Sequence, residues 1–197
     1  MQIDLDLLFS WGAIAEKYKK NETIFDENGT AHFYYQIIDG SVRLYNSNDD
    51  GKEFTQDLFI NGDSFGDASL LIDKTYPSKA VSLKDTTIIK LTKEKFLKII
   101  EEYPYLQKKF MVSLAQKIHA KSETSSGIIN QKPEFRIVAF LNTFKRKSVT
   151  CSDRVLVPYT RQEIANFTGL RVETVIRVCT RMNHLNKVEI INHKLYY

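Results

Sequence analysis

Residues 160–185 read TRQEIANFTGLRVETVIRVCTRMNHL, two helical patterns with a glycine between them. Thr160-Arg161-Gln162-Glu163 has the form of a capping box. The Thr160 hydroxyl can accept from the amide three residues on, while Glu163 reaches back to the Thr160 amide. A short helix from Arg161 to Phe167 would bury Ile164, Ala165 and Phe167. Thr168-Gly169 then breaks it, since glycine takes the left-handed conformation that ends helices. A second helix is expected from about Val172 to His184, with Val175, Val178, Met182 and Leu185 on one face at spacings of three and four.

The opposite face carries Glu173, Ile176, Arg177, Thr180 and His184. One buried face, one charged face and a glycine turn describe a helix-turn-helix, whose second helix fits a major groove. Arg177 can fork onto guanine O6 and N7, and Glu173 can accept from cytosine N4. The alternative is that the two form only an exposed ion pair one turn apart. After Leu185, residues 187–191 and 194–197 flank Asn192-His193 as a hairpin, and Val155–Tyr159 is a third candidate strand. Helix-turn-helix plus hairpin is a winged helix.

Charge separates this region from the rest. Lys132–Tyr197 holds 12 Lys and Arg against 5 Asp and Glu, whereas Met1–Gln131 holds 16 against 19. A basic third on a mildly acidic body suits an anionic polymer as partner, although a solvated basic surface would look alike.

Upstream, residues 25–91 read as short strands broken by turns. Tyr34–Ile38 leads into Asp39-Gly40, and Ser41–Tyr45 alternates at period two. Asn46–Gly51 makes a turn before Glu53–Ile60, Asn61-Gly62-Asp63 makes another, and Ala80–Leu83 and Thr87–Leu91 follow as strands. Such punctuation argues for a jelly roll, sandwich or barrel. At Thr92, a candidate N-cap, the pattern turns helical. Pro104 opens a longer helix with Leu106, Phe110, Leu114 (or Val112) and Ile118 in one apolar stripe, which serves either a dimer seam or a core-facing helix. Ser122–Gly127 is a hinge, or the helix continues to about Asn130. Glu134–Lys145 is helical with Phe135, Val138, Ala139, Leu141 and Phe144 apolar, and Lys145–Ser148 follows as a basic loop. The class is α+β, divided as a roll over 1–103, a dimerisation helix and hinge over 104–131, and a winged helix over 132–197.

The 197 residues are 43 % hydrophobic and 26 % charged, ordinary proportions for a globular protein. No apolar run approaches the roughly 18 residues of a membrane span. Residues 1–6 are acidic and lack a secretory lead-in, so a cytoplasmic location is expected. Cys151 and Cys179 are the only cysteines, too few for a disulfide framework. His32, His119, His184 and His193 show no metal-ligand spacing. No GxSxG and no P-loop occur, so enzyme chemistry is not expected and no catalytic residue or metal ligand is assigned.

Tyr34–Leu44 (YYQIIDGSVRL), Asn61–Asp67 (NGDSFGD) and above all Thr160–Arg177 together resemble the Crp/Fnr family of bacterial transcription regulators. The resemblance covers nearly the whole chain in order. It implies a cyclic-nucleotide-binding-type jelly roll, a long dimerisation helix and a winged helix. It also implies a homodimer that binds double-stranded DNA at an inverted repeat and contacts RNA polymerase. By that resemblance Arg171, Val172, Glu173, Ile176 and Arg177 read bases, and Thr160, Arg161, Gln162 and Thr174 hold the backbone. Val172 stands where cyclic-AMP-responsive members carry arginine, which points to a half-site closer to TTGA than to TGTGA.

The sensor end departs from the family. The carboxylate that meets the ribose is Asp67, one methylene shorter than glutamate. Asp73–Ala80 holds no arginine, and Pro77-Ser78 stands where an arginine-serine pair is expected. Lys79 is a point charge and does not replace a guanidinium fork. The candidate effector pocket is Phe65, Gly66, Asp67, Ser78 and Lys79, and its small-molecule effector, if one exists, is unknown. Cyclic AMP is not expected, nor is an iron–sulfur cluster, because the N-terminal cysteines of Fnr-type members are missing. The alternative to a DNA-binding regulator is a ligand-binding signalling module whose winged helix makes protein contacts only.

Overall fold

A computed structural model describes residues 3–129, 132–147 and 154–197, which fall into two compact units, Met1–Lys117 and Ile118–Tyr197. The first opens with α1 (Leu5–Ser10), capped by Asp4, whose side chain accepts from the Leu7 amide. Strands β1 (Ile14–Tyr18), β2 (Thr23–Phe25), β3 (Phe33–Asp39), β4 (Ser41–Ser47), β5 (Glu53–Ile60) and β6 (Ser64–Phe65) follow. Then come α2 (Asp67–Leu71), β7 (Lys79–Ser82), β8 (Thr86–Thr92) and α3 (Lys93–Glu102).

The strands make two four-stranded sheets, β1-β8-β3-β6 and β2-β7-β4-β5. Their non-sequential order is that of a jelly roll. Apolar side chains of both sheets meet between them: Tyr35, Ile37 and Ile88 from one, Val42, Phe59 and Ala80 from the other. Strands begin earlier than the expected start at Phe25, because β1 and β2 are edge strands. Each pairs on one side only and carries little of the burial alternation that marks an interior strand. Thr92 does stand at the N-cap of α3, but its side chain makes no cap bond. It is still paired to Phe33 in the sheet, which fixes its backbone instead.

α4 (Pro104–Ile129) is unbroken through the stretch 122–127 that sequence reading offered as a hinge; Asn130 lies outside the described residues. The single apolar stripe divides in two. Leu106 and Phe110 are buried with Leu114 packed beside them in the core of Leu8, Tyr34 and Phe96, worth about 1.5–3 kcal/mol for each large side chain. Val112 and Ile118 instead join Met111 on an exposed face, with Met111 60 % and Ile118 68 % accessible.

The second unit continues with α5 (Pro133–Lys147), β9 (Leu156–Val157), α6 (Arg161–Thr168), α7 (Val172–His184), β10 (Glu189–Ile191) and β11 (Lys194–Tyr196). The expected basic loop at 145–148 is helical through Lys147, and Ser148 lies outside the described residues. In α5 the fully buried positions are Ile137 and Leu141, while Phe135 is exposed and Ala139 faces solvent. β10, β11 and β9 form a three-stranded antiparallel sheet, and a core of Ile137, Leu141, Ile164, Val175 and Leu195 joins helices to sheet.

Candidate nucleic-acid interface and effector pocket

The turn between α6 and α7 is built by local chemistry. The Glu163 amide donates to Thr160 Oγ1 at 3.1 Å, and the Thr160 amide donates to Glu163 Oε2 at 2.7 Å, completing the capping box. Gly169 ends α6 at φ 64°, where a side chain would strain the backbone. The Thr168 hydroxyl is buried and donates to the Ile164 carbonyl at 2.7 Å. Phe167 is only half-buried, stacked on Phe140 at 4.8 Å. Tyr159 packs edge-on to Phe140, Phe144 and Phe167, and burial pushes its hydroxyl up to about 12.

α7 buries Val175, Val178, Cys179 and Met182. Leu185, expected on that face, is the C-cap residue and 56 % exposed, because the helix ends at His184. Cys179 takes the inward place, and burial pushes its thiol up; Cys151 lies outside the described residues. Arg171, Glu173, Ile176 and Arg177 are exposed, and Thr174 is half-buried. Val172 is half-buried against the core, so it presents less surface than its neighbours. Thr160, Arg161 and Gln162 lie together at the start of α6, where Gln162 Nε2 donates to Asn166 Oδ1 at 3.0 Å. Among the described residues no ion pair joins Glu173 to Arg177.

Sequence reading missed the role of Glu134. It pairs with Arg181 of α7 and with Lys187 Nζ at 2.8 Å. Those bonds, Lys187 first, hold its carboxyl below the usual 4.5. Partners separated by 47 and 53 positions leave no local signal. The hairpin turn is Asn192-His193, at φ 47° and 63°. Both signs are positive, as a two-residue turn that matches strand twist requires, so the wing closes without glycine.

In the roll, Gly66 opens α2 at φ 72°, and a Cβ there would lie 3.1 Å from the Tyr76 ring and 3.3 Å from Phe25. Phe65 is buried beside them, and Phe25 stacks on Tyr76 with centroids 3.6 Å apart. Asp67 is 4 % exposed and accepts from Ser64 Oγ at 2.9 Å and Lys117 Nζ at 2.5 Å. Ser78 is buried. Lys79 is not directed at Asp67: its Nζ pairs with Asp26 at 2.9 Å. Phe65, Gly66 and Asp67 are thus brought together by adjacency, with aromatic rings filling the space between the sheets. A cyclic phosphate would find no guanidinium in 73–80 and the nearest lysine of that segment already paired, a poor fit for a buried anion. Among the described residues no group of three or more His, Cys, Asp or Glu could hold a metal ion.

Two family models match the chain: a cyclic nucleotide-binding domain over residues 15–103 and a Crp-like helix-turn-helix domain over 135–195. The nitrogen fixation regulation protein FixK of Bradyrhizobium diazoefficiens is 24 % identical over 178 residues, covering 89 % of this chain and 74 % of that protein. The cAMP-activated global transcriptional regulator CRP of Pasteurella multocida is 28 % identical over 165 residues, 82 % of this chain and 79 % of its own. The c-di-GMP responsive global regulator CLP of Xanthomonas campestris superposes with a TM-score of 0.81 at 18 % identity, covering 96 % of both chains, a likeness of fold. Among the described residues no helix is long and apolar enough to cross a membrane.

Proposed function

The chain belongs to the Crp/Fnr family of transcription regulators, and from that membership we propose that it is a homodimer reading an inverted repeat in DNA through α7, without cyclic AMP or an iron–sulfur cluster. The observation that carries this reading is the exposed pair Glu173 and Arg177 on a helix whose other face is buried. Unengaged with each other, both are available to base edges.

Arg177 forks onto guanine O6 and N7, and Glu173 accepts from cytosine N4. Arg171, Val172 and Ile176 flank them, Ile176 and Val172 offering apolar contact to thymine methyls. Thr160, Arg161, Gln162 and Thr174 grip phosphates, with the amides at the start of α6 adding their positive end. This division gives position to the backbone contacts and sequence to the helix face, and the half-site is closer to TTGA than to TGTGA. Residues 104–131 serve as the dimerisation segment, two copies pairing through the exposed Met111, Val112 and Ile118. Bound to DNA in the cell, the dimer contacts RNA polymerase. CRP relatives are described as cAMP-activated and CLP as c-di-GMP responsive, so the roll tolerates different effectors. Here the unsupported phosphate position and the engaged Asp67 argue against a cyclic mononucleotide.

Titration of labelled duplexes over a salt series tests this. An inverted repeat should bind more tightly than a single half-site, with affinity falling steeply as salt rises. Equal, salt-insensitive affinity would overturn it and favour a winged helix that contacts proteins.

A further inference from the structure

Leu106, Phe110, Leu114 and Lys117 follow one another at helical spacing and share one face of α4. The first three pack on the roll. The fourth is a lysine, a costly residue to turn inward unless its charge is met. Its Nζ is met four ways: by Asp67 Oδ2 at 2.5 Å, by the Ser64 carbonyl at 3.0 Å, more distantly by Ser64 Oγ at 3.4 Å, and by the face of the Phe59 ring at 5.8 Å. Asp67, a buried carboxylate at the start of α2, has the Ser64 hydroxyl as its other side-chain donor. The pair therefore joins α2 to α4 through residues 50 positions apart.

We propose that Lys117 is a positioning residue, whose ammonium permanently occupies the Asp67 carboxylate and seats α4 on the roll without a small-molecule effector. A ligand hydroxyl reaching Asp67 would have to displace a charge-assisted bond and leave the ammonium unpaired in a half-buried site. The seating fixes which face of α4 is turned away from the roll, the face carrying Met111 and Val112. The consequence for DNA rests on the reading above; the seating itself does not.

The test uses the full chain with no nucleotide added. The double variant Asp67→Asn/Lys117→Met removes both charges, so no lone buried ion remains. It should keep the wild-type unfolding midpoint, while amide exchange over 104–117 accelerates about tenfold or more. Affinity for the inverted repeat should fall about tenfold, because fewer molecules hold the competent arrangement. Asp67→Glu, which keeps a carboxylate, should retain most of the protection. If the double variant fails to fold, Lys117→Gln carries the exchange prediction, with a lower unfolding midpoint because Asp67 is left without its counter-ion. Wild-type exchange over 104–117 in the double variant, or in Lys117→Gln where that replaces it, would overturn the seating role. Wild-type protein that binds no duplex would overturn the DNA reading, and the exchange result would still decide the role of Lys117.

Discussion

Glu173 and Arg177 stand one helical turn apart on the exposed face of α7, and among the described residues no ion pair joins them. An i,i+4 acid–base pair on a surface helix commonly closes on itself for a few tenths of a kcal/mol. Left open, the two side chains point at whatever enters from outside. Arg177→Ala should cost about 1–3 kcal/mol at one guanine position and relax selectivity there. Competition with single-substituted duplexes measures this; an equal loss on every sequence would reduce Arg177 to a phosphate contact.

Arg161 has the opposite signature. Arg161→Ala should weaken binding to all sequences alike and lower the slope of log affinity against log salt by about 1. The same salt series on wild type and variant reads the difference. An unchanged slope would remove Arg161 from the backbone contacts.

The capping box fixes where α6 begins, and with it the approach of α7. Thr160→Ala should destabilise the winged unit by about 1 kcal/mol, and Thr160→Ser should recover most of the loss. Urea unfolding followed by tyrosine fluorescence reports both values. Loss of stability in the serine variant as large as in the alanine variant would contradict the hydroxyl's role.

Glu134 predicts an acid sensitivity. Bonds from Lys187 and Arg181 hold its carboxyl below the usual 4.5. A carboxyl depressed in the folded state contributes stability above its unfolded value, and loses it as pH falls through the folded value. Stability of the winged unit should therefore decline as pH drops from 4.5 downward, and Glu134→Gln should flatten that decline. An identical acid limb in the variant would show that the bonds contribute nothing.

What sequence reading captured was local. Thr160, Glu163 and Gly169 act on residues within one turn, and α7 runs from Val172 to His184, as its periodicity predicts. What it missed depends on distant partners. The division of the α4 stripe follows from which side the roll covers, and the pairing of Lys117 with Asp67 joins positions 50 apart. Leu185 fits the apolar face by angle, yet it is exposed because the helix stops one residue before it. Edge strands β1 and β2 pair on one side only and so carry little alternation to detect.

The proposed homodimer reads DNA through Glu173 and Arg177 without a nucleotide. Selection and sequencing of bound duplexes from a random library, at one stated salt concentration and with or without cyclic AMP, tests it most directly. The predicted result is an inverted repeat with half-sites close to TTGA, enriched equally in both conditions. Enrichment only with cyclic AMP, or of no repeat in either condition, would contradict it.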